Sequence, residues 1–181
     1  MTSVNTATIY TTSKSPLGDY LFVGTRDASA TGGVRMTRLA LQVWSDDRNK
    51  PVAKIDDSWE HAPEEFAHAI AQLEAYFRGE LTDFDLELDP QGTVFQRRVW
   101  DELRKIPYGS TSTYGTITAN LGLDRSAARA VGGAVGSNPL GIIVPCHRVL
   151  GAGGKLTGYA DGLANKEALL VLEGVLPSPL V

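Results

Sequence analysis

Apolar positions in the first ninety residues follow the periods of strands and of one helix. Residues 20–24 and 39–44 form short apolar runs, which predict two strands separated by a Gly/Ser/Ala loop at 27–33. Over residues 63–78, apolar side chains recur at helical spacing, and Gly79 fits the end of that helix. The first part of the chain therefore predicts an α/β unit with an antiparallel sheet.

A boundary is predicted at residues 88–92, where an acidic stretch meets Pro and Gly turn signals. It separates an accessory domain at 1–88 from a second domain at 93–181. Thr93 and Gln96 have the spacing of a capping box, and the apolar stripe that follows predicts a helix ending at Pro107.

Two further short helices are predicted at 113–120 and 126–135, joined by a Gly-containing turn. This spacing is typical of a helix-turn-helix, although any compact helical pair would show it. Ala and Gly dominate the second helix, from which one long cation, Arg129, projects. The small side chains would let the helix backbone approach DNA closely without reading the base sequence. From its position in the sequence alone, Arg129 is an ordinary exposed cation.

Cys146 is the only cysteine of the chain. The run Ile142–Val144 before it predicts a short buried strand, and Pro145 disfavours helix at the preceding residue. A lone cysteine is more often an inert buried residue. Here His147 and Arg148 follow directly, and a neighbouring base or cation favours the reactive thiolate. We therefore interpret Cys146 as a nucleophile.

Composition constrains the partners and the compartment. The 181 residues carry a net charge of −4. Eight Lys/Arg against fifteen Asp/Glu give −7 over residues 1–92, whereas nine against six give +3 over 93–181, so the second half is the one suited to phosphates. We expect no membrane span and no signal peptide, and a single cysteine indicates the cytoplasm. His61 and His68 lack zinc-site spacing, so neither a metal nor a cofactor is expected.

Several motifs occur together in an order that resembles the O6-alkylguanine-DNA alkyltransferase family. They lie within residues 93–174, and the first ninety residues resemble the family only weakly, mainly at 15–18. The motifs are Phe95–Trp100, Ile106–Gly109, Tyr114-Gly115, Arg129–Ala134, Ser137–Pro139, Ile142–Val149, Leu156–Tyr159, Gly162-Leu163, Lys166 and Glu173-Gly174.

The resemblance implies a ribonuclease-H-like first domain and a mainly helical second domain with a winged helix-turn-helix. It also implies direct repair of double-stranded DNA by single-turnover transfer of an alkyl group from O6-alkylguanine, and from O4-alkylthymine, to Cys146. We expect a nucleoid-associated monomer, and cooperative assembly on DNA stays open. The alternatives are a non-catalytic binding module of the same fold and a Cys/His hydrolase, although hydrolases usually place their histidine far from the cysteine.

Residue roles follow from the same resemblance. The catalytic set implied is Cys146, His147, Glu173, Asn138 and Tyr114, in which a water links the thiol to His147, Glu173 lies behind the imidazole, and Asn138 braces the turn. Arg129 replaces a base flipped out of the stack. The DNA contacts implied are Arg129, Tyr114, Ser126, Ala127, Ala128 and Gly132, and the base pocket is Val135, Val149, Tyr159 and Ala160.

Two positions depart from the usual family pattern. Ala160 stands where many relatives carry a serine, so a hydroxyl donor to O6 is lost while the backbone N–H is kept. Asp161 stands where glycine is common, and a carboxylate there could narrow the pocket or repel phosphate. Both changes predict weaker reaction with bulky alkyl groups.

Overall fold

The computed structural model describes residues 7–42 and 53–178. The chain forms two compact units, at residues 1–90 and 91–181. Within the described ranges, no helix has both the length and the apolar character needed to cross a membrane.

The first unit is built on a five-stranded sheet. Its strands are β1 (Thr8–Ser15), β2 (Gly18–Arg26), β3 (Val34–Leu41), β4 (Glu60–His61) and β5 (Glu87–Leu88). They lie in the order β4-β1-β2-β3-β5. The three long strands pair antiparallel, but β4 pairs parallel with β1 and β5 parallel with β3. The prediction of an antiparallel sheet is therefore correct for the three long strands and wrong at both edges. The two-residue edge strands pair in parallel, because the chain reaches them through long crossover connections and not through hairpin turns.

The central strand β2 is covered on both faces. On one face Leu21 and Val23 pack with Ala53. On the other, the Phe22 ring centroid lies 6.2 Å from that of Phe66, at the end of the 3₁₀ turn that leads into α1 (Ala67–Phe77). The predicted helix at 63–78 and the loop at 27–33 are confirmed. The strand predicted at 39–44 corresponds to the end of β3, which stops at Leu41. Residues 43 and 44 of that prediction lie outside the described residues.

The second unit is mainly helical. Its elements are α2 (Val94–Leu103), β6 (Ser112–Thr113), α3 (Tyr114–Asn120), α4 (Ala128–Gly136), β7 (Val149–Leu150) and α5 (Leu163–Leu172). The capping box at Thr93 is confirmed, since both of its reciprocal hydrogen bonds are present. Trp100 Nε1 donates to the Ala134 carbonyl at 2.8 Å and so joins α2 to α4. Residues 149–150 pair in parallel with 112–113, next to the helix pair α3 and α4.

The segment before the cysteine is buried but is not a strand. Ile142 and Val144 are each 1% exposed, as the hydrophobic run predicted. However, Ile142 has a φ of +68°, and the backbone turns repeatedly, with Val144 N–H donating to the Leu140 carbonyl at 2.9 Å. The predicted strand is therefore wrong, because these peptides are satisfied by local hydrogen bonds rather than by a neighbouring strand.

Candidate active site around Cys146

Cys146 is the first residue of a short turn. Residues Cys146–Arg148 form a 3₁₀ helix, and Arg148 N–H donates to the Pro145 carbonyl at 3.0 Å. On extended backbone, adjacent side chains point to opposite faces, so Cys146 and His147 would diverge. The turn removes that alternation. It leaves Cys146 partly exposed while His147 and Arg148 are buried.

Asn138 holds the loop that carries this turn. Its Oδ1 accepts from Leu140 N–H at 3.0 Å, and its Nδ2 donates to the Val144 carbonyl at 2.8 Å. The same Nδ2 lies 3.2 Å from Cys146 Sγ. One amide side chain thus supplies backbone partners on both sides of Ile142 and a donor to the sulfur.

His147 and Glu173 form a fully buried pair. Nε2 of His147 lies 2.7 Å from Oε1 of Glu173, and neither side chain is exposed. Burial lowers the pKa of His147 below its usual value, so the ring is neutral at pH 7. A neutral ring that donates Nε2–H to the carboxylate leaves Nδ1 as a bare acceptor. Among the described residues, that buried Nδ1 has no hydrogen-bond partner.

Arg148 completes the cluster around the carboxylate. Its Nε donates to Glu173 Oε2 at 2.8 Å and its Nη2 to Oε1 at 3.0 Å, a bidentate geometry. Nη1 donates to the Ile106 carbonyl at 2.6 Å, and the guanidinium lies 5.8 Å from the centre of the Tyr108 ring. The sequence suggested Arg148 as a cation near the thiol, whereas in the structure its guanidinium is paired with Glu173.

The cation that does act on the thiol is Lys166. Burial raises the pKa of Cys146 to about 11, and the Lys166 ammonium opposes that rise. Lys166 is fully buried on α5. Its Nζ donates to the Val149 carbonyl at 2.5 Å and to the Thr157 carbonyl at 2.8 Å, so it joins the nucleophile turn to the loop at 157–162.

Tyr114 lies where the helix pair meets that loop. Its hydroxyl donates to the Gly158 carbonyl at 3.5 Å, and a Cβ built on Gly132 of α4 would lie 3.9 Å from its ring. Burial raises the pKa of Tyr114, and the charge of Cys146 contributes in the same direction. The structure therefore brings Tyr114, Gly132 and Cys146 into one neighbourhood. Arg129 is exposed near the start of α4.

Sequence and structure comparisons agree on the relationship. The 6-O-methylguanine DNA methyltransferase ribonuclease-like domain matches residues 30–90, and the DNA binding domain of the same family matches residues 94–175. A methylated-DNA–protein-cysteine methyltransferase of Methanosarcina acetivorans is 48% identical over 91% of this chain and 97% of its own. Its counterpart in Mycolicibacterium paratuberculosis is 49% identical over 91% of both chains. This chain belongs to the 6-O-methylguanine DNA methyltransferase family.

A solved structure supports the same conclusion. The crystal structure of Mycobacterium tuberculosis OGT in complex with DNA superposes with a TM-score of 0.77 at 45% identity, covering 93% of this chain and 95% of that one. The predicted family and the two-part fold, with a ribonuclease-like unit and a helical DNA-binding unit, are confirmed.

The remaining predicted site residues of this methyltransferase range from exposed to fully buried. Ser126 and Ala160 are exposed, and Ala127, Ala128 and Tyr159 are partly buried. Val135 and Val149 are 3% and 0% exposed, so their side chains belong to the core. The buried contacts of Arg148 and Lys166 were not predicted from the sequence. Their basic character and buried surroundings were the only signal, because their partners lie at distant positions along the chain.

Lys166→Met tests the cation beside the thiol. Losing the ammonium should raise the pKa of Cys146 further, so that alkylation by iodoacetamide at pH 8 slows about threefold to tenfold and the pH–rate curve moves to higher pH. Lys155→Met, at an exposed lysine, is the matched control. A folded Lys166→Met protein with a lower Tm but an unmoved pH–rate curve would restrict Lys166 to a structural role.

Proposed function

We propose that this protein repairs double-stranded DNA containing alkylated guanine by moving the alkyl group from O6 to Sγ of Cys146. A sulfur lone pair forms the S–C bond as the C–O6 electron pair returns to guanine, and the proton lost by the thiol balances the charge of the leaving base. The observation that carries the proposal is the position of Cys146 on a turn whose next residue, His147, is paired with buried Glu173. O4-alkylthymine offers the same chemistry.

The thiol needs a proton acceptor, since its pKa of about 11 keeps it protonated at neutral pH. We propose that a water passes the proton from Sγ to Nδ1 of His147, the bare nitrogen of the ring. The imidazolium that forms is stabilised by Glu173 at 2.7 Å. Asn138 Nδ2, 3.2 Å from the sulfur, holds Sγ in place and favours the thiolate.

The helix pair is proposed to carry the damaged strand to the thiol. Ser126, Ala127, Ala128 and Gly132 would let α4 approach the backbone closely, and the exposed guanidinium of Arg129 would take the place of the extruded base. Tyr114, which lies between α4 and the loop at 157–162, would meet both the flipped nucleotide and the pocket.

The flipped base is proposed to lie against Tyr159. The backbone N–H of Ala160 would donate to O6 as its charge develops, which makes guanine a better leaving group. The buried side chains of Val135 and Val149 would support the pocket from the core behind it. Because Ala160 has no hydroxyl, the backbone N–H is the donor that this residue itself can offer to the departing oxygen.

The product of the reaction is a thioether on Cys146. Cleaving a carbon–sulfur bond is a different and harder reaction, so each molecule acts once. We further propose that the protein meets a lesion as a monomer on nucleoid DNA, since one Arg129 and one Cys146 suffice for one damaged base. Cooperative assembly along DNA would add neighbouring copies without changing this chemistry.

Intact mass after mixing with duplex DNA containing O6-methylguanine tests the central claim. We expect one methyl group per protein on Cys146, and none in Cys146→Ser, which should still bind the duplex because the thiol contributes little to docking. Unmodified duplex is the control. Duplex binding without any gain of mass in the wild-type protein would instead favour the non-catalytic module, and methyl transfer by Cys146→Ser would contradict the assignment of the nucleophile.

Arg129→Ala tests extrusion. Unstacking a base costs a few kcal/mol, so losing about 2 kcal/mol of support should slow repair of duplex DNA roughly 30-fold. Reaction with the free base O6-methylguanine needs no extrusion and should change little. Arg125→Ala removes an exposed cation four residues before Arg129 and controls for general loss of phosphate attraction. Equal slowing on both substrates would assign Arg129 to the pocket or to the fold.

Glu173→Gln tests the relay. Without the anion behind His147 the imidazolium is less stable, so transfer at pH 7 should slow and should partly recover in alkaline solution, where the thiol ionises unaided. Glu167→Gln, an exposed position on α5, makes the same charge change as a control. Thermal unfolding is measured in parallel, because the variant leaves Arg148 buried without its anion. An unchanged pH–rate profile in folded protein would rule the relay out.

A further inference from the structure

Asp161 is held in place in the loop at 157–162. Its carbonyl accepts from Asn165 Nδ2 at 2.7 Å, and the next residue, Gly162, donates its N–H to the Tyr159 carbonyl at 3.0 Å. These bonds close the loop onto the start of α5. Asp161 is partly buried, whereas Ala160 and Gly162 on either side of it are exposed. The loop is also tied to the backbone that follows the Cys146 turn, because Lys166 Nζ donates both to the Thr157 carbonyl in the loop and to the Val149 carbonyl.

The carboxyl group of Asp161 is within electrostatic range of the nucleophile. Burial raises the pKa of Asp161 to about 6, so the group is ionised at pH 8. Its charge in turn opposes ionisation of Cys146 and raises the pKa of that thiol, in the opposite sense to Lys166. The Lys166 Nζ donates to the Val149 and Thr157 carbonyls, and among the described residues no ion pair joins it to Asp161.

The alkyl group being transferred must touch the sulfur. In the proposed reaction, the S–C bond forms at Cys146 while the C–O6 bond breaks, so the alkyl carbon lies against Sγ throughout. A charge carried one or two bonds away on that alkyl group then lies in the same surroundings as the thiolate, which feels the field of Asp161. In such a partly buried site, unit charges interact more strongly than in water.

We propose that Asp161 selects alkyl groups by charge, accepting neutral groups and disfavouring anionic ones such as carboxymethyl. Asp161 is thus a specificity-determining residue of the pocket. This inference rests on the proposed alkyl transfer. It differs from a size filter, because it separates groups of equal size that differ only in charge.

Two lesions of nearly equal size make the test. Duplexes carrying O6-carboxymethylguanine or its neutral analogue O6-carboxamidomethylguanine are mixed with excess protein at pH 8, and transfer to Cys146 is followed by intact mass. The measured quantity is the ratio of the neutral to the anionic rate. Replacing Asp161 with Asn should lower that ratio about tenfold or more relative to wild type. The intrinsic reactivity of each lesion is the same with both proteins. Any repulsion between Asp161 and the DNA phosphates is the same for both lesions. Neither factor therefore changes the ratio of wild type to variant.

Further variants define the outcome. Asp161→Gly should lower the ratio as Asn does, Asp161→Glu should keep it, and Asp101→Asn, at an exposed carboxylate on α2, should leave it unchanged. A ratio in Asp161→Asn and Asp161→Gly equal to that of wild type would overturn the proposal, as would an equal fall in Asp101→Asn. Transfer from O6-methylguanine is run alongside. Its absence in the wild-type protein would count against the proposed function itself rather than against charge selection.

Discussion

The active site depends on the interactions of the buried Glu173 carboxylate with His147 and Arg148. The carboxylate accepts from His147 and from two nitrogens of Arg148, at 2.7 to 3.0 Å, with all three side chains almost wholly excluded from water. Removing one partner from a buried ion pair costs roughly 3–5 kcal/mol, because the remaining charge is left uncompensated. Arg148 also reaches the Ile106 carbonyl, so the same cluster fixes the end of the segment after α2.

The thiol of Cys146 is accessible to solvent but is not readily ionised. Cys146 is partly exposed, yet burial of its surroundings holds the pKa at about 11, so the resting sulfur is a weak nucleophile. In the proposed mechanism, reactivity arises when a neutral His147 takes the proton of the thiol.

Local patterns were sufficient to predict elements whose signals lie within a few residues. The helix at 63–78 and the capping box at Thr93 follow from spacing and turn chemistry, and both were found. Two-residue edge strands carry too few side chains for any period, so the parallel edges of the sheet were missed. Ile142–Val144 was misassigned because burial looks the same in a strand and in a braced turn.

For the active site, the nucleophile and its neighbour were evident from the sequence, but the partners of the buried cations were not. Arg148 meets Glu173 twenty-five positions later, and Lys166 meets Val149 seventeen positions earlier. Pairing at that distance is decided by the fold rather than by spacing. The family resemblance placed Glu173 behind His147, and the buried contact between them fits that placement while leaving its catalytic role to experiment.

The two hydrogen bonds of Lys166 give the pocket a mechanical property. One ammonium group joins the strand that follows the nucleophile turn to the loop at 157–162, which is proposed to face the base. A substituent too large for the pocket would push that loop outward, and the same ammonium group would pull on the backbone three residues from Cys146. In the proposed reaction, a lesion that fits the pocket poorly would therefore also shift the sulfur of Cys146 away from its position for attack.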